Sequence, residues 1–180
     1  RVNDHEVSPL VTFIAATNRR TDRAGVTGLL EPVKSRFATI LQVEVDLNDW
    51  IKWALHEGLP TELISFVQWR PALLHDFKPT NDLVNTPSPR TVANVGRLMG
   101  IGLPKEVEYD AYSGAAGEGF AAEFIGFLKI FRTLRNHDMV IMRPDDSPIP
   151  TDPATLWALA GALARKTSDQ TIDRLYRYYN

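Results

Sequence analysis

At Asp46 the rhythm of the apolar residues changes, and this constrains the fold more than any other feature of the chain. Ahead of that point the apolar residues fall in short runs that read as strands. Val11–Thr17 (VTFIAAT) is continuous and rich in β-branched residues. Such a run suits a strand covered on both faces, as in a parallel sheet. Thr39–Val45 alternates, with Ile40, Gln42 and Glu44 on one side and Leu41, Val43 and Val45 on the other. It predicts a second strand, exposed on one face. Between them lie a dense charged loop, Asn18–Arg23, and a short helix over Leu29–Arg36.

Beyond Asp46 the spacing is helical. Asp46 is placed to cap a helix, with Asp49 three residues on and Leu47 set to staple to Ile51. That helix ends near Gly58, and Pro60-Thr61 starts another that carries Leu63, Ile64 and Val67. The 76–88 stretch is a long loop. Ser88-Pro89 then supplies an N-cap and an N1 proline for a helix bearing Val92, Val95, Leu98 and Met99. Residues 105–119 have no clear period and stay open, and the glycines of Gly114-Ala-Ala-Gly-Glu-Gly119 read as a flexible entry to the next helix. There Phe120, Phe124, Phe127 and Phe131 recur at helical spacing and predict a core face. Asp152-Pro153 caps a helix with Leu156, Leu159, Ala160 and Leu163, and Ile172, Leu175, Tyr176 and Tyr179 mark the last.

Composition excludes several classes. Twenty Lys+Arg against 22 Asp+Glu leave a net charge of −2, which rules out a generic electrostatic nucleic-acid binder. With 44% hydrophobic and 23% charged residues, wholesale disorder is out. No apolar run is long enough to span a membrane. The absence of Cys excludes disulfides, thiolate zinc sites and a cysteine nucleophile, and fits a reducing, cytoplasmic setting. The four His are scattered with no pair at ligand spacing, so no metal site is expected. The chain opens Arg-Val-Asn without an initiator Met, and is expected to be a piece of something longer.

Three polar residues stand where chemistry could use them. Asn18 follows the first predicted strand at its carboxyl end, the edge where ligands sit in open α/β sheets. A carboxamide there could orient a water or bond a phosphate oxygen, or simply form a turn. Arg36 ends a short helix. It could reach an anion on a neighbouring molecule, or be one of the cations that helix dipoles favour at that end. Arg90 sits in the first turn of its helix, where a cation opposes the dipole at a cost of a few tenths of a kcal/mol. Free N–H groups are expected beside it, and Arg90 makes sense there if a phosphate is the guest; the alternative is a surface Arg paired with an acid. The glycines of 114–119 are no phosphate loop, because no Gly-Lys pair exists anywhere in the chain. Of Trp50 and Trp53, three apart on one helix, at least one is expected in the core.

In this order the three sites resemble part of a MoxR-like AAA+ ATPase. Phe13-Ile-Ala-Ala-Thr-Asn18 is similar to the strand that ends in the sensor-1 asparagine. Leu29-Leu-Glu-Pro-Val-Lys-Ser-Arg-Phe37 resembles the short helix that ends in the arginine finger, and Thr86-Pro-Ser-Pro-Arg90 the sensor-2 motif that opens a lid helix. Asn18-Arg-Arg-Thr-Asp-Arg23, Glu44-Val-Asp-Leu-Asn-Asp-Trp50 and Gly117–Phe127 resemble a bacterial and phage subgroup of ATP-binding proteins. The resemblance implies a mainly α fold: a helical AAA+ lid domain at 48–180, preceded at 1–47 by a small β-containing remnant of the α/β ATPase core. It implies ATP and Mg in the parent protein and neither bound to this chain alone, because the family's phosphate-binding loop and Asp-Glu magnesium motif are not in this sequence. It assigns catalytic roles to Asn18 and Arg36 and nucleotide contact to Arg90. It also implies a homo-oligomeric ring, a hexamer, that remodels a protein substrate, with no nucleic-acid or membrane partner. The competing expectation is a stand-alone helical protein-interaction module without catalysis.

Overall fold

A computed structural model of the chain describes residues 7–18, 31–80, 82–134 and 137–180. Two compact units divide it, Arg1–Gln42 and Val43–Asn180. The described residues are mainly helical and none lies in a strand.

Among the described residues of the first unit the one regular element is α1, Glu31–Lys34, closed by an ion pair between its two ends (2.5 Å). The start of the predicted 29–36 helix, Leu29-Leu30, and the charged loop from Arg19 to Arg23 lie outside the described residues. The predicted strands are corrected: Val11–Thr17 and Thr39–Val45 carry no regular structure. Val11–Thr17 joins no ladder among the described residues, and a strand exists only where a neighbour takes up its N–H and C=O groups. The side chains of both runs are exposed, with Ile14 95% and Leu41 82% exposed.

The second unit is a bundle. Its helices are α2 (Leu47–His56), α3 (Thr61–Trp69), α4 (Pro89–Ile101), α5 (Lys105–Ala116), α6 (Glu118–Thr133), α7 (His137–Met142), α8 (Pro153–Ala164) and α9 (Ile172–Tyr179). The predicted caps form. Asp46 accepts the Asp49 N–H at 2.9 Å, and Asp152 accepts both the N–H (2.8 Å) and the hydroxyl (2.7 Å) of Thr155. Those bonds favour the charged carboxylate and hold Asp152 below the usual aspartate range.

Helix α3 is the hub. Leu63, Ile64, Ser65, Phe66 and Val67 are all buried, because α2, α6 and α8 surround it. Helix α8 approaches it closely: a Cβ on Gly161 would meet Ser65 Oγ at 2.0 Å, so only glycine fits. An ion pair from Arg165 to Glu62 (2.7 Å) closes the same interface. Three of the four phenylalanines predicted as a core face, Phe120, Phe124 and Phe127, surround Phe66 with centroids 5.0–5.5 Å away. Full burial of each such ring stabilises by about 1.5–3 kcal/mol, and tilted or edge-on pairs add about 0.5–1.5 kcal/mol. A second, smaller cluster joins Val140, Leu159, Leu163, Leu175 and Tyr178 from α7, α8 and α9.

The stretch 105–119, without a clear period in the sequence, is ordered, and the flexible entry read at 114–119 is corrected. Lys105–Ala116 is a helix, and the break before α6 is the single residue Gly117 at φ +93°. Helix α5 buries Tyr112 and Ala116 in the core, and a pair far apart in the chain ties it to α6. Glu108, 6% exposed, takes two bonds from the Arg132 guanidinium on α6, at 2.8 and 2.5 Å. The carboxylate bond holds the guanidinium still more firmly charged. Tyr112 beside it is pushed above the ordinary phenol value, first by burial and then by the Glu108 charge.

Candidate functional site at the opening of α4

The sequence of 76–91 makes a loop that must deliver the chain into α4 at a fixed angle, and five contacts do so. The Asp76 N–H donates to the Pro87 carbonyl (3.1 Å). Asn85 Nδ2 donates to the Gly114 carbonyl (2.7 Å), while its own carbonyl lies 2.7 Å from where a Cβ on Gly117 would be. Ser88 and Thr91 form a reciprocal capping box: Thr91 N–H to Ser88 Oγ (3.3 Å) and Ser88 N–H to Thr91 Oγ1 (2.8 Å). The Thr91 hydroxyl donates onward to the Thr86 carbonyl (2.9 Å). The fifth contact comes from α2, where Trp50 Nε1 donates to the Pro89 carbonyl at 3.2 Å.

Arg90 stands on this fixed turn. It is exposed, and its side chain makes no hydrogen bond or ion pair among the described residues. The acid-paired surface arginine is therefore not what is found among them. The expectation of several free N–H groups beside it is corrected. Pro89 has none, Thr91 gives its N–H to Ser88 Oγ, and Val92 gives its N–H to the Ser88 carbonyl (2.9 Å). The Arg90 N–H is the one donor of that terminus left without a partner among the described residues. An anion here would rest on one guanidinium and one N–H, not on a nest of amides.

Behind the loop a pocket of about 280 Å³ opens between 73–87 and the α5–α6 junction. Leu73, Ala116 and Phe120 give it an apolar floor, and the Asp76–Lys78 ion pair (2.9 Å) sits on its wall. Arg90 does not line it.

Asn18 and Arg36 belong to the first unit. Asn18 is exposed, and its recorded bond is to its backbone carbonyl, from the Thr17 hydroxyl (3.4 Å). Its carboxamide is thus uncommitted among the described residues. Arg36 is exposed in the turn after α1, where its N–H donates to the Val33 carbonyl (3.2 Å). No hydrogen bond joins Asn18 to Arg36 among the described residues. Sequence reasoning missed Trp50 and Asn85 as supports of the α4 opening. Their partners lie 39 and 29 residues away, and no local pattern marks such contacts. Thr91 was detectable, at the third position of a Ser-x-x-Thr cap.

No family model matches the chain, and no curated protein and no solved structure matches it. Among the described residues no helix is long and apolar enough to cross a membrane.

Proposed function

We propose that this chain supplies the sensor-1, arginine-finger and sensor-2 residues of a MoxR-like AAA+ ATPase whose phosphate-binding loop and magnesium motif lie outside these 180 residues. One observation carries the reading. Arg90 occupies a dipole-opposed position on a helix turn held by five contacts, and its guanidinium is uncommitted among the described residues. A cation kept at a cost, on a rigid support and facing solvent, is suited to a phosphate. Asn18 would help place the attacking water near the γ-phosphate of ATP. Arg36 would reach the nucleotide of the next subunit and stabilise developing charge. A finger acting in trans calls for a ring, read here as a hexamer. Its output would be a nucleotide-dependent rotation of the helical unit that remodels a protein partner.

The 180-residue sequence contains neither the G-x-x-x-x-G-K-[ST] loop that would cradle the β- and γ-phosphates nor the Asp-Glu motif that would hold magnesium. The chain alone is therefore expected to turn over no ATP when purified free of contaminating ATPases. The test that separates this reading from others is the DNA upstream of the Arg1 codon. It should encode G-x-x-x-x-G-K-[ST] and then an apolar strand ending in Asp-Glu. An open frame without either motif overturns the proposal. A second reading, a stand-alone helical interaction module, is favoured by the core of the second unit, whose buried residues all lie at Trp50 or beyond. ATP turnover by the purified chain would defeat both readings.

A further inference from the structure

We infer that Trp50 is the positioning residue for Arg90, and that it links occupancy of that guanidinium to helix α2. The inference rests on the reading of Arg90 as a phosphate contact. Trp50 is 6% exposed, so its indole is held by the core and has little freedom to swing. Its N–H donates to the carbonyl of Pro89, the peptide group that joins Pro89 to Arg90. A carbonyl has two lone pairs, so this bond adds to the helix ladder and does not compete with it. Proline fixes φ at its own position, and the capping box fixes the residues on either side. The peptide plane between Pro89 and Arg90 carries the Arg90 N–H, and the Trp50 bond holds its tilt. When a phosphate draws the Arg90 side chain and its N–H, the pull acts on that plane, and the indole bond is the first long-range contact to register it. The result is a path from the anion to α2, and through α2 to its neighbour α3.

The test uses the 180-residue chain, isotopically labelled, titrated with inorganic triphosphate and followed by NMR. The Arg90 Nε–H and the Trp50 indole N–H are identified by their loss in Arg90→Gln and Trp50→Phe. The expected result is that both signals move along one binding curve, and that the indole signal no longer moves in Arg90→Gln. In Trp50→Phe, which keeps the ring and loses the donor, triphosphate should bind about three- to tenfold more weakly, the worth of one neutral hydrogen bond. If Arg90 titrates while Trp50 stays still, or Trp50→Phe binds as well as the parent chain, the positioning role is overturned and Arg90 keeps its phosphate reading. An indole signal that still moves in Arg90→Gln overturns the link as well. If neither signal moves at millimolar triphosphate, the inference falls, while the ATPase reading, which expects no nucleotide bound to this chain alone, is decided by the motifs upstream of Arg1. Should Trp50→Phe not fold, the titrations of the parent chain and of Arg90→Gln decide alone.

Discussion

The two units treat the same kind of residue in opposite ways. In the second, Phe66, Phe120, Phe124 and Phe127 are all at most 1% exposed. In the first, Leu10 and Ile14 are 92% and 95% exposed, and Phe13 is 61% exposed. Hydrophobicity does not separate the two sets; backbone bookkeeping does. A helix satisfies its N–H and C=O groups within its own segment, so an apolar stripe needs only another stripe to pack on. A β-like run satisfies nothing by itself, and burying it without a ladder would strand its polar backbone. The second unit contains what its stripes need. The run at 11–17 does not meet its own need among the described residues.

Substitutions can sharpen this contrast or break it. The largest effect should come from Phe124→Ala, which empties the centre of the aromatic cluster around Phe66, Tyr112 and Phe120. A loss of about 3–5 kcal/mol is expected in urea unfolding. A loss below about 1 kcal/mol would mean that this core is far looser than drawn. Gly117→Ala comes next. It places a Cβ 2.7 Å from the Asn85 carbonyl and asks alanine to hold φ +93°. About 2 kcal/mol is expected, with the α4 opening displaced. Wild-type stability together with an unchanged Asn85 signal would contradict that clamp.

A smaller effect should appear at high pH. The Tyr112 phenol is raised above 10.0, chiefly by burial. Its contribution is fully present below the unfolded value of about 10 and is lost as pH rises through the higher folded value. The urea midpoint should therefore fall on the alkaline side, and Tyr112→Phe should make that fall shallower. An equally steep fall in the variant would remove Tyr112 from the account. The smallest effect belongs to the first unit. Ile14→Ser should change stability by no more than about 0.5 kcal/mol, because the side chain touches water already. A loss comparable to that of Phe124→Ala would erase the contrast between the units.

What was legible in the sequence follows the same division. Helices α2, α4 and α8 were visible because their caps are local, with Asp46, Ser88 and Asp152 each bonding a group three residues on. Helix α5 was not, since part of its inward face is a carboxylate and a phenol. Glu108 reads as a solvent residue until Arg132, 24 positions later, meets it. The two predicted strands carry no regular structure here, because an apolar pattern states what a segment could pair with and says nothing about whether the pair is there. At the candidate site, Ser88-Pro89-Arg90 announced the helix opening. The capping box that consumes its N–H groups was half-hidden in Thr91, and the Trp50 bond was invisible.

Amide hydrogen exchange at Val11–Thr17 tests the proposed function most directly, since under that proposal these residues would join a sheet completed by an ATPase core outside the 180 residues. In the complete gene product, the proposal predicts strong protection of the Phe13, Ile14 and Ala15 amides, well beyond that in the 180-residue chain. Equal and rapid exchange in both would contradict it.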